Sequence, residues 1–302
     1  VILGYGVVGK GIEILAKTLD DINIKYVYVR KEKENLPYFS NNEDMVVQDD
    51  IDIVFECLNG LEPANTLIQK ALKKGKHVIS SNKAVVATYL DTYLELEEEY
   101  GGSIQVEACV AGGIPFIDAL LKLKRLEPLQ GYEGIFNGTS NYILDSMQKN
   151  NLDFEDVLKE AQDKGYAEKD PSNDIDGVDV YYKTKISNSL AFNTPIVDIP
   201  YYAGIRTIKM LDIKFIKMNN KVIRHLSISR QIDDKIISII APCCMDENDF
   251  LANVPSNYNA QKILSHSFDT LGYYGQGAGQ LPTAQAMVQN ALDTLENKER
   301  KI

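Results

Sequence analysis

The chain has 302 residues, 44% hydrophobic and 25% charged, which suits one large or two ordinary folded domains. A formal net charge of −11 argues against nucleic acid and anionic membrane surfaces as partners. Apolar runs are short, as in IDIVF at 51–55, so no membrane span is expected, and no secretory signal precedes the first motif. The four cysteines, Cys57, Cys109, Cys243 and Cys244, have no metal-ligand spacing and read as reduced thiols of a cytoplasmic protein. The histidines, His77, His225 and His266, have no acidic neighbours in sequence, which turns the search for a proton donor towards lysine.

The chain opens on Val1-Ile2-Leu3, the tail of a strand. A strand usually has ~5–6 residues, so part of this one is expected to precede Val1. Gly4-Tyr5-Gly6-Val7-Val8-Gly9 follows, then a helix to about Leu19. GxGxxG is weak alone but gains force at a strand-to-helix turn. Gly4 makes the turn, Gly6 lets a pyrophosphate approach the backbone, and Gly9 lets helix and strand pack closely. The strand at 25–29 ends in Arg30-Lys31 rather than in an acid. A guanidinium suits a 2′-phosphate, so NADP is the expected cofactor, with NAD the alternative.

The apolar run at 52–57 reads as a buried parallel strand, Asn59-Gly60 as a turn, and Pro63 to Lys74 as a helix. His77-Val78-Ile79 is the next strand, ending at Ser80-Ser81-Asn82-Lys83. Its carboxyl edge is where ligands of open α/β folds lie, which places Lys83 near nicotinamide or substrate. The acidic run at 95–99 reads as a solvated helix face. A strand at 104–108 leads into Ala111-Gly112-Gly113-Ile114-Pro115. That turn reads equally as a domain hinge and as a hard-cation site made of carbonyls with the Glu107 carboxylate.

The segment at 134–144 is a strand, a glycine turn and a helix start, where Thr139 or Ser140 is either an N-cap or part of a carboxylate site. In 165–183, GYAEKDPSNDIDGVDVYYK, five acids precede a lysine. Pro171, Asn173 and Gly177 put the acids on a loop, and a helix starts near Val178. Asp179 and Lys183 then stand one turn apart on a row that continues to Ile186 and Leu190, and so turns inward. The commoner reading of such a pair is a surface ion pair. The concentration of acids favours a proton-transfer site beside a pocket for an ammonium group. Further on, ISRQIDDKIISII at 228–240 reads as a hairpin and 271–279 as a strand with a glycine turn. Pro282-Thr283 opens a last helix, 284–297, that returns to the nucleotide domain.

Six segments, GYGVVG, SSNK, EACVAGGIP, GIFNGTSNYIL, GYAEKDPSNDIDGVDVYYK and YYGQGAGQLPTAQA, are spread over almost the whole length, and through them the chain resembles the homoserine dehydrogenase family. The resemblance implies an α/β protein: an N-terminal Rossmann nucleotide-binding domain, 1–112 with 277–302, and a mixed α/β substrate-binding and dimerisation domain, 113–276. It implies a homodimer that reversibly reduces L-aspartate 4-semialdehyde to L-homoserine with NAD(P)H, in threonine and methionine biosynthesis. Lys183 then matches the general acid/base and Asp179 its partner. Glu168 matches the acid that binds the substrate's amino group, with Asp174 and Tyr166 beside it. Thr139 matches the glycine-threonine turn near substrate, and Lys83 the lysine between cofactor and substrate. Gly165, Gly277 and Gly279 match points of cofactor approach, alongside Gly4 to Gly9, Arg30 and Ser80. Glu107, Val110, Gly112 and Ile114 match a monovalent-cation site, expected to hold sodium. The chain departs from the family pattern mildly: SSNK replaces Thr-Ala-Asn-Lys, Asn59-Gly60 replaces Gly-Gly, and Cys109 replaces a hydroxyl residue. Little more than Val288 to Ile302 follows the last motif, so no C-terminal regulatory domain is expected. The competing readings are a semialdehyde dehydrogenase that acylates a cysteine, and a nucleotide-binding regulator without catalysis.

Overall fold

The computed structural model describes residues 1–30, 38–233 and 235–296. The chain divides into two units, Val1–Asp118 with Ala278–Ile302, and Ala119–Gly277.

The first unit holds a parallel sheet. Its strands are β1 (Ile2–Leu3), β2 (Val27–Tyr28), β3 (Phe39–Ser40), β4 (Ile53–Glu56), β5 (His77–Ser80) and β6 (Ser103–Gln105). They run in the order β3-β2-β1-β4-β5-β6. This is the doubly wound order of a dinucleotide fold, and its direction reverses between β1 and β4, where ligands of such sheets bind. The connecting helices are α1 (Val7–Ala16), α2 (Ala64–Leu72) and α3 (Lys83–Tyr100), the last ended by Gly101 in the left-handed region. Ile2, Ile12, Val27, Phe55 and Ile79 form the core, with Ala284 and Met287 of the C-terminal helix packed among them. Strand β6 stops at Gln105, short of the expected 108, and Glu107–Cys109 is a 3-10 turn. The Glu107 carboxylate explains the break, since it turns to accept two backbone N–H groups at the start of α4 (Phe116–Leu123).

The second unit is built on an antiparallel sheet, β7 (Gly131–Ile135), β8 (Lys221–Ile232), β9 (Lys235–Asp246), β10 (Asn259–Ser265) and β11 (Asp269–Gly275), in the order β11-β10-β7-β8-β9. Its helices are α5 (Gly138–Asn150), α6 (Phe154–Asp163), α7 (Ser172–Ile175), α8 (Val178–Phe192) and α9 (Met210–Met218). The C-terminal helix of the first unit, α10 (Gln280–Leu295), starts earlier than Ala284, with Gly279 as its N-cap. The expected end at Asn297 lies outside the described residues. The hairpin is longer than its apolar alternation suggests, with two strands of 12 residues each. Strand β8 buries polar groups that find partners within the fold, which hides it from a hydrophobicity pattern. Thr184 Oγ1 donates to Ser227 Oγ at 2.8 Å, and Ser229 Oγ and Ser238 Oγ share a bond of 2.9 Å. One acid-bearing segment taken for loop is the single turn α7, started after Pro171.

Arg224 on β8 is 3% exposed. Its Nη2 donates to Asp145 Oδ1 at 3.1 Å and to Ala252 O at 2.6 Å. Removing one member of a buried pair leaves the other charged and unsolvated. Asp145→Ala should therefore lower unfolding stability by about 3–5 kcal/mol, measured by urea titration, and Asp145→Asn by less.

Candidate active site

In the first unit the three turns after β1, β4 and β5 meet at the carboxyl edge of the sheet. Gly4 has φ +93°, and a Cβ there would lie 2.8 Å from Cys57 O. A Cβ on Gly9 would lie 2.1 Å from Gly4 O, so α1 can lie this close only without one. Gly6 has open space above it, α1 has no side-chain cap, and no acid occupies its first turn. These unspent N–H groups and the helix dipole fit a pyrophosphate. Val7 is exposed and Val8 half-buried. The Tyr5 hydroxyl donates to Glu13, so Tyr5 offers a ligand its backbone and not its side chain. Arg30 is exposed at the end of the β2 segment, and its neighbour Lys31 lies outside the described residues.

Glu56, at the end of β4, is wholly buried. Its carboxylate accepts from Leu58 N at 2.8 Å, from Ser80 Oγ at 2.6 Å and from Asn82 Nδ2 at 3.5 Å. Asn82 donates to Gly60 O at 2.8 Å and caps α3 by accepting from Val85 N. Glu56 thus clamps the β4 and β5 turns together and sets the start of α3, whose first residue is Lys83. The Ser80 hydroxyl belongs to this clamp, so Ser80 also offers a ligand only its backbone. Burial pushes the Glu56 carboxyl up to about 7, against the pull of its three donors.

The expected cation turn differs from the sequence reading in one respect. Glu107 Oε1 and Oε2 accept from Ile117 N at 3.0 Å and Asp118 N at 2.6 Å, so the carboxylate is a helix cap. Burial holds this carboxyl above its usual range, with the charge of Asp118 adding to it. Val110 and Ile114 are buried, and Gly112 has φ +59°. What the turn can offer a cation is backbone carbonyls. Cys109 is buried and donates to Ser80 O, and burial pushes its thiol far above the range of a thiolate.

In the second unit Lys183 is 8% exposed and Asp179 4%. Lys183 Nζ lies 2.7 Å from Asp179 Oδ2 and donates to Phe136 O at 2.6 Å. An ammonium has three hydrogens, and the third finds no acceptor among the described residues. Ile186 and Leu190, on the same row of α8, are buried, so the row does turn inward. Asn137, and neither Thr139 nor Ser140, is the N-cap of α5, accepting from Ser140 N at 2.7 Å. Its Nδ2 donates to Asp174 Oδ1 at 2.7 Å and to Asp179 Oδ2 at 2.9 Å. Thr139 Oγ1 lies 2.9 Å from Asp174 Oδ2 and 2.7 Å from Tyr166 O, and shares its single hydrogen between these two acceptors. Burial raises the Asp174 carboxyl, the Asp179 charge raises it further, and Asn137 and Thr139 oppose both. Arg206 grips Asp176 with two bonds of 2.7 and 2.8 Å, which anchors the acidic segment.

The structure therefore brings Thr139, Asp174, Asp179 and Lys183 together, with the Tyr166 backbone beside them. Glu168 is exposed, and its backbone carbonyl accepts from Gln162 Nε2 at 3.1 Å. Gly165 has φ +74° with open space around it. Gly277 lies against the buried Asn259 amide, where any Cβ would collide, and Gly279 has φ +127°. His225 is buried and pushed down to about 4, mainly by burial, so it carries no proton to transfer near neutrality. Asn137 and Glu56 carry no functional mark in the sequence. The one available signal for Asn137 is its place just before a Gly-Thr helix start.

Comparison with known proteins bears on both units. A homoserine dehydrogenase family model matches residues 115–292, and a homoserine dehydrogenase NAD binding domain model matches residues 4–107. The chain is similar to homoserine dehydrogenases of Neisseria gonorrhoeae, at 38% identity over 83% of this chain, and of Synechocystis, at 36% over 97%. It spans 58% of the length of the first and 72% of the second. A crystal structure of a homoserine dehydrogenase from Thiobacillus denitrificans superposes with a TM-score of 0.91 at 34% identity, covering 100% of this chain and 74% of that one. The chain belongs to the homoserine dehydrogenase family. That family consists of NAD(P)-dependent oxidoreductases acting on a CH–OH group, and the parallel-sheet unit and antiparallel-sheet unit match its fold. Burial of the Cys109 thiol argues against the acyl-thiol reading, which needs a thiolate there.

Glu56 ties the stability of the first unit to pH. Its folded pKa of about 7 exceeds that of an unfolded glutamate, near ~4.3, so the folded state holds this proton more tightly. The associated stability is complete below the unfolded value and is lost as pH rises through about 7. Glu56→Gln should flatten that part of the stability profile, by about 4 kcal/mol at most, in urea unfolding followed from acid to mildly alkaline pH.

Proposed function

We propose that this chain catalyses the reversible NAD(P)H-dependent reduction of L-aspartate 4-semialdehyde to L-homoserine, a step of threonine and methionine biosynthesis. The observation that carries the reading is Lys183, buried, paired to Asp179 and left, among the described residues, with one N–H to give. Bound at the glycine turn of the first unit, the reduced nicotinamide would supply the hydride. As the aldehyde carbon gains it, the C=O π bond opens onto oxygen, and Lys183 gives that oxygen a proton. Lys183 is left as a neutral amine and regains a proton from solvent. Asp179 holds Lys183 in place, and the substrate ammonium is assigned to Glu168 and Asp174 with Tyr166 beside them. Thr139 and Lys83 complete the substrate contacts. Rate depends chiefly on holding the reacting atoms at near-attack distance.

Gly4 to Gly9, Ser80, Lys83, Gly165, Gly277 and Gly279 are assigned to the cofactor. NADP is preferred over NAD because Arg30 is exposed where a 2′-phosphate would lie. A monovalent cation, sodium, is placed at the turn of Glu107, Val110, Gly112 and Ile114, bound by backbone carbonyls. A homodimer is supported by edge strand β9, which exposes Ile237 and Ile239. The four free cysteines accord with a reducing cytoplasm. Among the described residues no helix is long and apolar enough to cross a membrane.

Lys183→Ala should lower kcat by at least about 10³-fold while the Kd for NADPH, read by fluorescence, stays within about twofold. Near-parental turnover in that variant would remove Lys183 from its role. Arg30→Ala should raise KM for NADPH by about tenfold and leave KM for NADH unchanged, and an equal effect on both cofactors would withdraw the NADP preference.

A further inference from the structure

Asn137 is 5% exposed, and every polar hydrogen of its side chain is committed. Its oxygen serves α5, accepting from Ser140 N. Its nitrogen has two hydrogens, one directed at Asp174 Oδ1 (2.7 Å) and one at Asp179 Oδ2 (2.9 Å). Thr139 serves Asp174 and Lys183 serves Asp179, whereas Asn137 serves both.

We propose that Asn137 is a positioning residue of the proton-transfer site, which keeps Asp174 and Asp179 as two distinct anions and so keeps Asp179 set against Lys183. The proposal rests on the reading of Lys183 as proton donor. Two buried carboxylates this close tend to share one proton unless donors lie between them. A proton on Asp179 would weaken its hold on Lys183 and leave the ammonium with the Phe136 carbonyl alone. The groups facing Asn137 are Asp174 from α7, Asp179 and Lys183 from α8, and, through Asp179, His225 from β8. His225 stays neutral, so it contributes no counter-charge in the neutral range. An amide is the suitable bridge: it supplies two donors without adding a second cation that would compete with Lys183.

The test uses two substitutions that preserve helix capping, Asn137→Ser and Asn137→Asp, since both side chains are good N-caps. The full-length variants are assayed in the homoserine-oxidising direction across pH, and the aspartate carboxylates are titrated by carbon NMR on aspartate-labelled protein. Asn137→Asp is expected to lower kcat on the order of 10²-fold, with the KM for NADP unchanged. The acid limb of kcat/KM should move to higher pH in both variants, less in Asn137→Ser, and the titration of one buried aspartate should move with it. A capping role alone would alter unfolding temperature and leave both profiles where they were. Unshifted carboxylate titration in both variants would overturn the proposal. Absence of parental turnover would instead overturn the reading of function, and the carboxylate titration would still decide the part played by Asn137.

Discussion

Burial of a charged amine is the constraint on which the second unit depends. Lys183 lies on the inward row of α8, with Ile186 and Leu190, where an isolated ammonium would be strongly disfavoured. Asp179 one turn earlier and the Phe136 carbonyl just past β7 make the position tolerable. The pair gains little stability over an apolar substitute of the same shape. Its presence is better explained by chemistry: a buried, fixed ammonium with one hydrogen unspent among the described residues is suited to protonating an oxygen. From this follow the helix start at Gly177, with φ +87°, which directs α8 under the acids, and the Arg206 grip on Asp176.

The first unit solves a different problem with the same means. There the buried acid is Glu56, and its partners are neutral donors rather than a cation. The clamp joins two turns at the switch point of the sheet, where the glycine turn after β1 also lies. A carboxylate fits because its two oxygens can accept from both turns at once. With Gly4 of the β1 turn packed close against Cys57 O, three sequentially distant turns form one surface, as backbone recognition of a dinucleotide requires.

What the sequence made legible is what depends on local rules. The glycines of 4–9 are required by close backbone approaches that any strand-turn-helix of this kind makes. The Asp179–Lys183 pair is visible because helix periodicity alone places the two on one face. Asn137 is invisible because its partners lie 37 and 42 residues away. Glu56 is hidden likewise, its bond to Ser80 spanning 24 residues. The Glu107 carboxylate misleads for a related reason: two N–H groups of α4 compete for it, and only the folded path of the turn shows that they win. Strand β8 is misjudged because Arg224, His225, Ser227 and Ser229 are buried polar residues, each bonded to a partner on another segment.

The charge balance of the two units also differs, and the difference bears on the proposed substrate. Around Lys183 stand Asp174 and Asp179, so the cluster carries more anion than cation when both acids are ionised. Such a surplus is costly in a partly buried place, which is why burial and Asp179 together raise the Asp174 carboxyl. An incoming ammonium removes the surplus and would draw that carboxyl back down. At the glycine turn the balance is opposite: a helix start without cap or acid leaves partial positive charge unspent, and a pyrophosphate removes it. Each unit is thus incomplete in charge by itself, in the sense its proposed ligand supplies. A ligand without an ammonium would leave the first imbalance standing and one without an anion the second, so the electrostatics favour an ammonium-bearing molecule at one unit and a phosphate-bearing one at the other.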